Sequence, residues 1–148
     1  VSRAAGKDCF FPADLGSGGR LLVCEGPRDT AAALDWGFQA AGRPSCRGGV
    51  KHLTELVKRL RPEDVVIVAD DDAPGRKGAD DLAARLAAYV SAVRVIVPAP
   101  PAKDARAWLG AGATAGDVLA AISAAAPRRL TVTTRTKGRK LCRRKATA

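Results

Sequence analysis

Three acidic signals carry the chemistry open to this 148-residue chain: Glu25-Gly26-Pro27-Arg28-Asp29, Asp70-Asp71-Asp72-Ala73-Pro74-Gly75 and Lys103-Asp104. The first two each close an apolar run, Leu21-Leu22-Val23-Cys24 and Val65-Val66-Ile67-Val68-Ala69. Short apolar runs ended by Gly and Pro are the pattern of parallel strands buried on both faces. In open α/β sheets the ligand sits outside the carboxyl ends of the strands, so these acids would meet there. Two unit charges about 4 Å apart interact by about 4 kcal/mol at an effective dielectric of about 20. A divalent cation is the usual way to hold such a cluster together. The chemistry predicted is a magnesium (or manganese) site acting on phosphates.

Each residue in these signals also has a plainer role. Asp70 to Asp72 taken alone serves equally as a turn capping the next helix, because acids favour helix N-termini. Glu25 tilts the balance, since a glutamate at the mouth of a buried strand is costly without a partner. Gly26 then has a reason to be small, the chain turning sharply beside the site. Asp29 either buttresses the site or is simply a first-turn helix acid. Asp71 is expected to face outward, because alternate residues of an extended segment point apart. Arg28, Arg47, Lys51, Arg76, Lys77 and Lys103 fall in loops or helix starts at the same end. They are candidates for phosphate contacts, Lys103 foremost because it adjoins Asp104, though any one of them is ordinary as a solvated charge. His52 reads as a surface residue, and Trp36 and Trp108 as core packing.

The elements that must position these residues alternate along the chain. Strands are expected over 21–24, 38–42, 65–69 and 93–97. Helices are expected over 29–36, 50–60 and 75–90, the second with Leu53, Leu56, Val57 and Leu60 on one stripe and the third with Leu82, Leu86 and Tyr89 or Val90 inward. A polar loop covers 43–49, a short helical turn 103–109, and Pro98-Ala99-Pro100-Pro101 makes a stiff exit from the fourth strand. Thr114 is a candidate N-cap of a last helix to about 126, with Asp117 completing a capping box. The rhythm predicts an α/β fold, a parallel central sheet flanked by helices. Cys9-Phe10-Phe11-Pro12 would be a lead-in strand or a lid.

Composition bounds the class. The net charge of +10 is not spread evenly: nine Lys/Arg and no acid fall in 127–148, leaving 16 basic against 15 acidic residues elsewhere. The expected organisation is a lead segment 1–20, an α/β domain 21–126 and a basic, disordered tail 127–148. Cys9, Cys24, Cys46 and Cys142 have no metal-type spacing, and His52 is the single histidine, which argues against zinc and for a reducing compartment. With no apolar stretch long enough to span a bilayer and no signal-peptide pattern, a cytoplasmic, non-membrane protein is expected. The chain has no Met and opens at Val1, which suggests a fragment or a processed form.

Taken together, Glu25-Gly26-Pro27-Arg28-Asp29, Asp70-x-Asp72-x-x-Gly75 and Lys103-Asp104-Ala105-Arg106-Ala107-Trp108-Leu109 resemble the Toprim family, in order and spacing, over about 21–109. The last stretch is similar to the Lys-Asp-x-x-x-Trp-Leu ending of primase-helicase members. The resemblance implies a Rossmann-like Toprim domain and magnesium-dependent nucleotidyl transfer on nucleic acid, as part of a DNA primase or primase-helicase-like protein. It implies Glu25, Asp70 and Asp72 as catalytic residues. Glu25, Asp70, Asp72 and Asp104 would be metal ligands, with Gly26, Asp29 and Gly75 in support. DNA or RNA and nucleotides would be ligands, and a helicase or other replication proteins partners. DnaG-type members carry a second acid two residues into the third motif, where this chain has Arg106. The alternatives are a Toprim nuclease, and a non-catalytic nucleic-acid-binding module with a vestigial acidic site. A phosphoacceptor receiver would reverse the order of the acids, and a haloacid-dehalogenase-type phosphatase would need Thr where Pro74 stands. A topoisomerase would need its nucleophile to be Tyr89, far along the chain from the acids.

Overall fold

The computed structural model describes residues 9–130. Four strands, β1 (Arg20–Glu25), β2 (Gln39–Arg43), β3 (Asp64–Val68) and β4 (Val93–Ile96), pair in parallel in the order β2-β1-β3-β4. Between them run α1 (Gly26–Asp35), α2 (Val50–Leu60) and α3 (Ala73–Leu86), followed by α4 (Ala105–Gly110) and α5 (Ala115–Ala124). The connection from β1 goes one way to β2, and the next crosses back over β1 to β3. The sheet therefore has a topological switch point between β1 and β3, where a crevice opens at the carboxyl ends.

Strand alternation divides the core into two layers. Leu21, Val23, Val65 and Ile67 face α2 and α3, packing on Leu53, Leu56, Val57, Leu60, Leu82 and Leu86. Leu22, Cys24, Val66 and Val68 face α1, α4 and α5. Small residues let helices lie close to the sheet there, and Trp36 and Trp108 fill the remaining space edge to face, their centroids 5.6 Å apart. Both are buried, as core packing requires. Thr114 and Asp117 form the expected capping box of α5.

Several expectations are corrected. Arg43 ends β2 and is buried rather than opening a polar loop. Helix α1 begins at Gly26, three residues early, and α3 begins at Ala73 because Pro74 is well tolerated in a first turn. Helix α3 also stops at Leu86, so Tyr89 leaves the helical phase: it is 49% exposed, beneath the Lys58 ammonium at 4.9 Å. Val90 packs only partly buried against the core. Phe10 makes an isolated antiparallel bridge to Gly42, and Arg128 makes another to Val93, so the chain is tied to β4 one residue past 127. The expectations for 1–8 and for the tail over 131–148 lie outside the described residues. Among the described residues no helix is long and apolar enough to cross a membrane.

Two glycines in helices should respond oppositely to alanine. A Cβ on Gly78 would overlap the Cys46 carbonyl, whereas nothing lies within 4 Å of one on Gly110. Gly78→Ala should lower the unfolding free energy from urea titration by about 1–3 kcal/mol, the clash outweighing the gain in helix propensity. Gly110→Ala should raise it by about 0.5 kcal/mol. A stabilising Gly78→Ala would contradict the close approach of α3 to the β2–α2 loop.

Candidate functional site

Each acidic motif reaches the same end of the sheet by a different local device. Glu25 is the last residue of β1 and stands at the N-cap position of α1, yet its carboxylate makes no capping hydrogen bond and stays available. The sharp turn that follows needs Gly26, whose φ is 73°. Beyond β3 the Ala69 amide still donates to the Ile96 carbonyl at 2.9 Å, which carries the ladder as far as Asp70. Gly75 must lack a side chain, because a Cβ there would press on Asp70 and on Asp72 Oδ1. The Asp71 amide donates to the Lys103 carbonyl at 2.7 Å and ties the second motif to the third.

Asp72 and Asp104 both cap helices. The Gly75 amide donates to Asp72 Oδ1 and the Ala107 amide to Asp104 Oδ1, each at 2.6 Å. In each case the capping bond uses one carboxylate oxygen, Oδ1. The plainer role of the Asp triplet as a helix cap is therefore real, and it coexists with a place in the cluster. Asp71 is not simply outward: it is half-buried and pairs with Arg76 at 2.8 Å, while Asp72 is the exposed member. Asp29 accepts the Arg106 amide at 2.9 Å and so joins α1 to α4.

The charge of these acids converges on Asp70. Burial, then Glu25, Asp29, Asp104 and Asp72, push its carboxyl up to about 6. Burial also raises Asp29, with Asp104 adding to the effect against the bond from Arg106. Cys24 lies beneath, its thiol raised first by burial and then by Asp29 and Asp70, which leaves it an inert protonated side chain. No three His, Cys, Asp or Glu side chains are already drawn together as a metal cage among the described residues. The donors are nevertheless all carboxylate oxygens under mutual repulsion. That suits a hard, hydrated Mg²⁺ or Mn²⁺, which takes one or two carboxylates and keeps several waters.

Among the cations expected to meet phosphates, Arg28 and Lys103 line a cavity of about 510 Å³ with Asp29, Asp104, Arg106 and Ala107. Arg76 is engaged by Asp71 and Lys77 by Asp81, and Lys51 lines a different depression with His52. Arg106, where the third motif departs from the DnaG pattern, thus adds a cation to the cavity. Sequence reasoning noted it only as a missing acid. Arg43 was missed altogether, and nothing in its local sequence marks it.

The chain superimposes on the DnaG catalytic core with a TM-score of 0.62 and 24% identity, over 77% of this chain and 37% of that one. The chain shares the fold of DnaG primase cores. It matches the DnaG primase catalytic domain bound to ssDNA with a TM-score of 0.58 and 24% identity, covering 73% of this chain and 34% of that one. It also matches a chain of the bacteriophage T7 complex of lagging-strand DNA polymerase with primase domains bound to an RNA/DNA hybrid and dTTP. There the TM-score is 0.54 and the identity 19%, over 77% of this chain and 58% of that one. No family model and no curated protein matches the chain. The chain spans little more than a third of the DnaG cores it matches.

The electrostatics set a sign for stability. Asp70 binds its proton more tightly in the folded protein than at its ordinary 3.8, so its contribution is full below that pH and is lost as pH rises through about 6. At pH 7 without metal it is net destabilising. Asp70→Asn should therefore stabilise the metal-free chain at pH 7 by about 1 kcal/mol, after discounting for the solvent that reaches the group. The gain should vanish near pH 4. An unchanged or lower urea midpoint at pH 7 would contradict the repulsion.

Proposed function

We propose that this chain is the acidic, metal-binding Toprim part of a primase-type nucleotidyltransferase acting on nucleic acid. The observation that carries the reading is Asp70, at the carboxyl end of β3 beside the switch point, with four further carboxylates raising its proton affinity. Primase cores of the same fold give the reading its reaction class, and the ssDNA and RNA/DNA hybrid bound in those complexes suggest its ligands.

Asp70, Glu25, Asp72 and Asp104 would hold Mg²⁺ or Mn²⁺. The bound cation would polarise a phosphate and steady the leaving oxygen. The chain's own residues do the remainder. Asp72 and Asp104 are fixed by their capping bonds, so each offers a preset second oxygen. Arg28, Lys103 and Arg106 line the adjoining cavity, where they would orient phosphates along its edge. Glu25, free of capping duty, completes the acid set or accepts the proton of an attacking hydroxyl. Asp29 keeps α1 against α4 and so fixes the width of the cavity. The basic segment 131–148, with seven Lys/Arg, would add nonspecific affinity for nucleic acid, and a helicase or other replication protein remains the proposed partner.

A second reading, a non-catalytic module, is favoured by the absence of a preformed three-ligand cage among the described residues. Metal titration separates the two. Mn²⁺ affinity of the full chain should rise between about pH 5 and 7 as Asp70 gives up its proton. It should fall at least tenfold, about 1.4 kcal/mol, in Asp70→Asn with Asp72→Asn. Unchanged affinity in that double variant would sink the metal assignment. Primer synthesis on single-stranded DNA should be weak for this chain alone, since positioning of template and nucleotides supplies much of the rate. Robust template-dependent product, absent in Asp70→Asn, would show instead that these residues suffice. Deleting 131–148 should flatten the salt dependence of single-strand binding by a slope of roughly 0.7 per lost phosphate contact. An unaltered slope would move the binding surface to the body.

A further inference from the structure

The largest fully buried side chain in the described structure is a charged one, that of Arg43. At the end of β2 it is 1% exposed. Its Nη1 donates to the Cys46 carbonyl at 2.7 Å and to the Gly78 carbonyl at 3.1 Å, so one nitrogen clasps the β2–α2 loop to the first half of α3. The fit is close: a Cβ on Gly78 would overlap Cys46, and one on Gly49 would press on Cys9 and on Arg43 itself. Two backbone acceptors do not account for a buried guanidinium. Its Nε is buried with no hydrogen-bond partner among the described residues, and an isolated buried cation is strongly disfavoured.

The missing compensation is visible in the register. Arg43 stands directly opposite Glu25 across the β1–β2 ladder. Alternation places both with Val23 and Ala41 on the side of the sheet that α2 and α3 cover. Burial makes Arg43 easier to deprotonate, and the negative charge of Glu25 is foremost in opposing that effect.

We infer that Arg43 is a positioning residue for the acidic crevice: a fixed, buried cation set opposite Glu25 across the β1–β2 ladder, which holds that carboxylate in place while clasping α3, whose N-terminus carries Asp72, to the end of β2. Its connection with catalysis rests on the metal reading above. The charge coupling does not.

The decisive measurement is a double-mutant cycle on the full chain in EDTA at pH 7, read as urea midpoints of wild type, Arg43→Met, Glu25→Gln and the double variant. Arg43→Met should lower the midpoint, and that loss should be at least halved in the Glu25→Gln background, where less negative charge is left uncompensated. Arg43→Lys, which keeps the charge but not the fork, should lie nearer wild type than Arg43→Met. Equal losses in both backgrounds, or a Lys variant as unstable as the Met variant, would reduce Arg43 to a loop clasp and overturn the inference. If Arg43→Met alone does not fold, a cooperative transition regained in the double variant supports the coupling, and continued failure to fold overturns it. Because all of this is read without metal, it stands apart from the metal assignment, which fails separately if wild type binds no Mn²⁺.

Discussion

Repulsion among carboxylates at one end of a four-stranded sheet is the constraint around which this molecule is organised. Glu25, Asp29, Asp72 and Asp104 all act on Asp70 and raise its proton affinity. The fold supplies partial relief in several forms: amides of Gly75, Ala107 and Arg106 donate to three of the acids, and Arg76 pairs with the neighbouring Asp71. None of these amide bonds goes to Asp70. The residue under the greatest electrostatic pressure is the one at the end of the central strand, where a ligand cation would be most strongly drawn.

The opposite end of the sheet makes the contrast. There Asp64, buried at the start of β3, is flanked by Arg20 of β1 and Arg94 of β4, with Arg20 Nε donating to Oδ2 at 3.0 Å. One acid between two cations is electrically satisfied within the protein, so that end can serve as a stable base. At the carboxyl end the cations are divided differently: Arg76 pairs with Asp71, and Arg28, Lys103 and Arg106 line the cavity beside Asp29 and Asp104, while Asp70 is pressed by its acidic neighbours.

Helix N-termini at this site serve two purposes. Asp72 and Asp104 satisfy orphan amides of α3 and α4, which orients their carboxylates at little entropic cost because the caps are needed anyway. Each helix start is in turn anchored to a strand end, so a side chain on a loop acquires the rigidity of the sheet. The small residues beside the caps belong to the same arrangement, Gly75 admitting Asp70 and Asp72 and Gly78 admitting the Cys46 carbonyl.

The parallel α/β architecture, helix α2 over Val50–Leu60, the capping box of α5 and the gathering of the acidic motifs at one sheet end were all legible in the amino-acid order. These follow from local signals: apolar runs buried on both faces, a 3.6-residue stripe, and caps that act within four residues. Tertiary structure decided the rest. Which of Asp71 and Asp72 faces solvent depended on Arg76 and on the α3 cap, whereas strand alternation alone suggested the reverse. Tyr89 turned outward because α3 ends a turn early. Arg106 became part of the cavity only through α1, whose Asp29 lies 77 residues away in the chain. Arg43 is buried where the Cys46 carbonyl and a Gly78 carbonyl 35 residues distant accept from it, and Glu25 stands opposite it on the neighbouring strand. Periodicity tells which face of an element is apolar, but a charge is compensated by whatever the fold places opposite it, and that partner has no fixed spacing in the sequence.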